Sequence, residues 1–247
     1  MATSETSSHI VTSFDDELKE LKNSILRMGG MAETQLASAI QAVTRMDNHL
    51  AEQVIAGDKK IDELDEQVTA LCTRMLALRQ PMAVDLRAVL TSLKISGGLE
   101  RIGDLAKNLA KRSLALNHRP PPAEIFGFKR MARLVEAMIK DVLDAYAEQD
   151  LEKAVDVWRR DEEVDALYNS LFRELLTYMM EDPRTITAGT HLMFMAKNIE
   201  RMGDHATNIA EDVHYMISGD SIEDERPKND LTSSISEVAD GDSDGNV

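Results

Sequence analysis

The decapeptide LERIGDLAKN begins at Leu99, and IERMGDHATN begins at Ile199. Both set Glu, Arg, Gly, Asp and Asn in one register, with apolar residues between them. Self-similarity of this kind is the mark of a duplicated supersecondary unit, so the chain is constrained to build one arrangement twice. Punctuation repeats with it: Pro81 precedes the first motif and Pro183 the second, each ending a helical stretch, because proline lacks the N–H and clashes inside a helix.

Apolar periodicity assigns the elements. Leu192, Met195, Ile199, Met202, Ala206, Ile209, Val213 and Met216 alternate spacings of three and four, and Ile95, Leu99, Ile102, Ala106 and Leu109 repeat the pattern. Ile61, Leu64, Val68, Leu71, Met75 and Leu78 do the same. Such seams belong to helices packed at shallow crossing angles. The expected helices of the first half run from Phe14 to Thr44 with a local interruption at Gly29 and Gly30, then to Arg79 after a turn at Asp47 to His49, then from Val84 to Leu116. Those of the second half run from Phe128 to Glu148, Asp150 to Met180 and Thr185 to Ile217. Aromatic residues make up only 4% of the chain, which favours packed helices over sheet.

The expected fold class is therefore all-α, two tandem three-helix bundles related by an internal repeat. The bundles span 13–117 and 128–218, joined by a Pro-rich linker at 118–127. A flexible N-terminus over 1–12 precedes them and an acidic disordered tail over 219–247 follows.

The formal net charge of −16 argues against nucleic acid and against electrostatic adhesion to an anionic membrane, since both need clustered Lys and Arg. Cations, or a basic face on another protein, are the natural partners. Cys72 stands alone in the apolar run ALCTRMLAL, so no intramolecular disulfide forms and a buried, inert thiol is expected. The N-terminus shows neither the basic nor the apolar region of a secretory signal, and no apolar stretch reaches the ~18 residues of a membrane span. A cytoplasmic protein is expected.

Carboxylates carry the chemistry. Glu100 and Asp104, like Glu200 and Asp204, stand four apart and share one helix face; Asn108 and Asn208 extend each column. The preceding helix of each half adds Asp58 with Asp62 and Asp161 with Asp165, again four apart. Like charges at this spacing cost a few tenths of a kcal/mol, and Gly103 and Gly203 inside helices cost about 1 kcal/mol each. An arrangement kept twice at that cost suggests a compensating partner. Flanking the apolar seams, the acids are expected on the bundle's flank or exterior, where antiparallel neighbours could bring pairs face to face. An all-oxygen set of this kind suits hard cations: Mg, Mn, Ca or iron. The plainer alternatives are a solvated flank with Arg101 and Arg201 pairing to neighbouring acids, or an acidic face that receives basic side chains from partner proteins. A di-iron enzyme would use two Glu-x-x-His pairs, whereas only Glu211 and His214 have that spacing. No nucleophile set or phosphate loop is present, so no catalytic residue is expected.

Taken together, FDDELKELKNSILRMGGMAETQL, DKKIDELDEQV, LALRQPMAVDLR and the two Glu-Arg-x-Gly-Asp motifs resemble the PhoU family, accessory and regulatory proteins of the bacterial phosphate-specific transport system. The resemblance implies a negative regulator of the phosphate-starvation response that works between the phosphate ABC transporter, through its ATPase subunit, and a membrane sensor histidine kinase. It also implies a homodimer that meets the membrane only through its partners and has no nucleic-acid role. It further implies metal ligation, by Mg, Mn, Fe or Zn, at Asp58, Asp62, Glu100, Asp104, Asp161, Asp165, Glu200 and Asp204.

Overall fold

The computed structural model describes residues 3–116 and 126–222. Among them are eight α-helices and a single 3-10 turn, with no strand. In the first repeat these are α1 (Thr3–Arg45), α2 (Asn48–Gly57), α3 (Lys59–Arg79) and α4 (Ala83–Leu116). The second repeat has α5 (Phe126–Glu148), α6 (Leu151–Arg159), α7 (Asp161–Glu181) and, after the turn at Pro183–Thr185, α8 (Ile186–Ser218). Each repeat is a long helix, a broken helix and a second long helix, as the all-α tandem arrangement requires.

The break corrects the sequence reading, which ran one helix through to Arg79 and another from Asp150 to Met180. At Asp58 the backbone stays helical (φ −56, ψ −41), but the Ile61 N–H bonds the Asp58 carbonyl at 2.8 Å, a tightened i+3 bond. Arg160 does the same, with the Glu163 N–H on its carbonyl at 3.1 Å. Local tightening of this kind bends a helix. Gly57 weakens the first joint through its low helix propensity. At the second, the Arg160 guanidinium is held sideways by Asp141 of α5 at 2.7 Å and by Asp156.

Equivalent caps open the broken helices. The Asp47 carboxylate accepts from the Leu50 N–H at 3.0 Å, and that of Asp150 from the Lys153 N–H at 3.0 Å. Each satisfies a donor that the first helical turn would otherwise leave orphaned.

α1 also departs from expectation at both places. It begins at Thr3, inside the stretch expected to be flexible, because no Gly or Pro precedes Gly29 to stop it. It continues through Gly29 and Gly30 because Leu143 of α5 fills the space at Gly29: a Cβ there would lie 2.3 Å from a Leu143 methyl. α5 starts at Phe126, inside the expected linker; the rest of that linker, 118–125, lies outside the described residues, as do 223–247 of the expected tail.

α4 and α8 run antiparallel through the middle. Lys94 Nζ meets Asp212 Oδ1 at 2.9 Å, Gly98 faces Ile209, and the Arg112 guanidinium covers the Phe194 ring at 4.2 Å. α4 packs on α1, α2, α3 and α8, and α8 on α4, α5, α6 and α7. The two repeats therefore share one continuous core, from Leu21 and Ile25 through Ile95 and Leu99 to Met195 and Ile199. Between the halves, Lys22 Nζ donates to the Ala147 carbonyl at 2.7 Å, and the hydroxyls of Ser92 and Tyr146 meet at 3.0 Å in the core.

Candidate carboxylate sites, one in each repeat

The bend at Asp58 lays the first turn of α3 on α4 at Gly103. A Cβ at Gly103 would stand 3.0 Å from Ile61 Cδ1 and 3.5 Å from Asp58 Oδ1, so glycine is what lets the two helices approach. Asp58 is 1% exposed. This overturns the expectation of an exterior acid, and so do Asp161, Asp165 and Glu200, all buried. The seam reading placed these residues beside the packing stripe, but α4 and α8 each have four neighbouring helices, and the bends turn the flanking positions inward. Asp62, Glu100, Asp104 and Asp204 are partly exposed, as flank residues should be. Asn108 and Asn208 are exposed.

A buried carboxylate needs hydrogen bonds or a counter-charge. In the first repeat Lys107 supplies both. Its ammonium donates to Asp58 Oδ2 at 2.5 Å and to Asp104 Oδ1 at 3.4 Å, bridging the α2–α3 joint to α4. Asp58 Oδ1 has no partner. Partial burial pushes the carboxyl of Asp62 up from its ordinary range, and the charge of Asp58 adds to it. Glu100 is raised too, chiefly by desolvation and then by Asp104, Asp62 and Asp65, against the lowering effect of Arg101. Arg101 pairs with Glu100 at 3.4 Å and Asp104 at 3.8 Å, as the plainer reading expected. Asp65 accepts from the Ser96 hydroxyl at 2.6 Å.

The second repeat is built alike with different donors. A Cβ at Gly203 would lie 3.2 Å from Val164 Cγ1. The Thr207 hydroxyl, at the position equivalent to Lys107, donates to Asp161 Oδ1 at 3.0 Å. Lys197 reaches Glu200 Oε1 at 2.8 Å and lies 5.0 Å from the centre of the Tyr168 ring. Glu200 Oε2 is buried with no partner. Burial pushes the Glu200 carboxyl up to about 7; Lys197 pulls it down, while Asp204 and Asp165 push it further up.

The four acids of the first repeat thus lie near enough to feel one another's charge, and in the second Glu200 feels Asp204 and Asp165. Among the described residues, however, no three His, Cys, Asp or Glu side chains form a group ready to hold an ion. The features a cation would satisfy are the two orphaned buried oxygens, Asp58 Oδ1 and Glu200 Oε2. Sequence reasoning missed Lys107, Thr207, Lys197 and Asp65. The one legible signal was the contrast between LAKN and HATN at the same register, where lysine stands against threonine.

Other candidates resolve simply. Glu211 accepts from the Trp158 indole N–H at 3.0 Å, and His214 Nδ1 lies 3.0 Å from the Asp220 carbonyl, so that pair is engaged apart. Cys72 is buried, its thiol donating to the Val89 carbonyl at 3.6 Å, and burial raises it to about 11. Among the described residues no helix is long and apolar enough to cross a membrane.

The PhoU domain family matches this chain twice, at residues 25–113 and 128–213. A phosphate-specific transport system accessory protein PhoU homologue from Caulobacter vibrioides is 53% identical over 226 residues, 91% of this chain and 98% of that protein. A homologue of the same description from Rhizobium meliloti is 49% identical over 94% of this chain and 98% of its own length. The crystal structure of PhoU from Pseudomonas aeruginosa superposes with a TM-score of 0.82 at 38% identity, covering 84% of this chain and all of that one.

Proposed function

The chain belongs to the PhoU family, and from that membership we propose that it is a cytoplasmic, non-catalytic negative regulator of the phosphate-starvation response. In this role it is an adaptor between the ATPase subunit of the phosphate ABC transporter and a sensor histidine kinase, and it works as a homodimer. The observation that carries the reading is that family likeness spans both repeats and includes both Glu-Arg-x-Gly-Asp motifs. The net charge of −16 supports protein partners with basic faces over nucleic acid. Depleting the protein in its own cell tests the proposal: phosphate-dependent repression of starvation genes is lost. Repression that persists unchanged refutes it.

The carboxylate sets are proposed to take Mg, Mn, Fe or Zn, with Asp58, Asp62, Glu100 and Asp104 serving one repeat and Asp161, Asp165, Glu200 and Asp204 the other. A bound cation would neutralise the buried acids and satisfy the two orphaned oxygens. A second reading has an observation of its own. Lys107 and Lys197 show ammonium groups seated on these same carboxylates, so basic side chains of a partner suit the outer acids Glu100, Asp104 and Asp204. Replacing Glu100, Asp104, Glu200 and Asp204 with Ala separates the two. Metal content falls under the first reading. Under the second, partner capture falls and is indifferent to chelator.

A further inference from the structure

The α3–α4 turn leaves apolar surface uncovered. Around Pro81, the side chains of Leu78, Met82 and Val84 are 72, 80 and 60% exposed. Single exposed apolar residues are ordinary, but several gathered at one end of a bundle mark a surface that something covers. From there Val84, Arg87 and Leu90 follow a row three apart along α4, and Leu90 is exposed as well. The row leads into a cavity of about 530 Å³ whose walls include Leu90, Lys94, Trp158 and Tyr215, together with Ser221 and Ile222.

The end of α8 brings the chain onto this face. Gly219, at φ +86, closes the helix with its N–H on the Tyr215 carbonyl at 2.9 Å. A Cβ there would stand 3.3 Å from the Arg87 guanidinium carbon, so the chain turns directly against Arg87. The Asp220 N–H then donates to the Ser218 hydroxyl at 3.0 Å, and Ile222 packs against the core. Arg87 is half-buried, and its Nε is buried with no hydrogen-bond partner.

Residues 223–247 follow Ile222, and their sequence complements the face. Leu231, Ile235 and Val238 stand at i, i+4 and i+7, the spacing of apolar anchors laid into a groove, with Asp230, Glu237 and Asp240 around them. Between Ile222 and Leu231 lie residues 223–230, a stretch that spans at most about 30 Å. Leu90 and Val84 are only about 9 Å apart along α4, so the anchors reach the whole row. The net charge of −16 means that general attraction does not draw an acidic segment back onto the bundle. Apolar contact must do it, helped by tethering, which holds the segment at an effective concentration of about millimolar. We propose that residues 230–240 occupy this face. Leu231, Ile235 and Val238 cover the apolar row from Met82 to Leu90, and the flanking acids meet Arg87. The chain thereby masks the exposed end of its own first repeat.

The test is the rate of cross-linking within the full chain. Asp85→Cys, in the first turn of α4, and Ser236→Cys, beside Ile235, leave every proposed apolar contact in place. Cys72 is buried and its thiol is raised to about 11, so it does not compete for a maleimide. A short bismaleimide joins the two introduced thiols, the reaction is quenched with free thiol, and the intrachain product is read as a fast-migrating monomer on a denaturing gel. Circular dichroism checks the folding of every variant. Adding Leu231→Ser with Ile235→Ser, or Met82→Ser with Leu90→Ser, slows the reaction roughly 10-fold or more. Thr187→Cys in place of Asp85→Cys, at the opposite turn and about 50 Å away along α8, reacts no faster than those slowed chains. A rate that none of these changes alters means a tethered segment without a seat, and overturns the proposal. A cross-linked dimer in place of the intrachain product gives the face to a second copy and overturns it too. If the Met82 and Leu90 substitutions unfold the chain, the Leu231 and Ile235 pair, which leaves the bundle untouched, decides alone.

Discussion

Glu200 stores free energy that pH can release. It sits on α8, 4% exposed, with Lys197 on one oxygen and the other oxygen unsatisfied. Its folded-state pKa is about 7 against an ordinary 4.5, because desolvation outweighs the help from Lys197. The folded chain therefore holds this proton more tightly than the unfolded chain does. Stability is highest below the unfolded value, falls as pH rises toward the folded value, and levels off above it. At roughly 1.36 kcal/mol per unit, the penalty above neutrality is about 3 kcal/mol. Glu200→Gln keeps the shape and cannot ionise. Measured by urea unfolding in chelator, the variant matches wild type near ~pH 4.5 and exceeds it by about 2–3 kcal/mol near ~pH 8, a little being surrendered with the charged bond to Lys197. A stability difference that does not change with pH, or a variant weaker than wild type at the alkaline end, refutes the reasoning.

Packing and helix capping set measurable outcomes at other positions. Gly203→Val drives a branched side chain toward Val164 Cγ1, where even a Cβ sits at 3.2 Å; thermal unfolding should show a loss of about 2–3 kcal/mol, or a midpoint lower by about 4–10 °C. Asp47→Ala and Asp150→Ala each remove a cap bond of 3.0 Å, and denaturant titration should give similar losses near 1 kcal/mol for both. Ser92→Ala strands the Tyr146 hydroxyl in the core between the repeats, at a cost of about 1–3 kcal/mol in the same assay. Tyr146→Phe combined with Ser92→Ala should recover part of that, since no polar group is then left without a partner.

Much of the fold could be read from spacing. The Leu192 to Met216 seam and its first-half counterpart became α8 and α4, and Pro81 and Pro183 fall where helices end. The bends at Asp58 and Arg160 could not be read, because Arg160 is held by Asp141, a residue on another helix. The nearby partner of Arg160, Asp156, makes a pairing four apart, which straight helices also carry and which marks no bend by itself. Gly29 gave the opposite error: it looks like an interruption, yet Leu143 of α5 turns it into a packing position. The acidic pairs were visible by residue type and register. Their burial was not, since a seam count treats each helix as having one packed face, while α4 and α8 are surrounded.

The sequence by itself determined that there would be two copies of one helical unit, that helices would stop before Pro81 and Pro183, and which eight carboxylates would recur. These are consequences of local periodicity and residue chemistry, and they survive any choice of neighbours. Only the tertiary structure decided that Asp58, Asp161, Asp165 and Glu200 lie inside, that Lys107 answers one buried acid while Thr207 answers its twin, and that Glu200 keeps an oxygen unsatisfied. Burial and counter-charge depend on which helix lies opposite, and that is settled only when the two repeats close on a shared core.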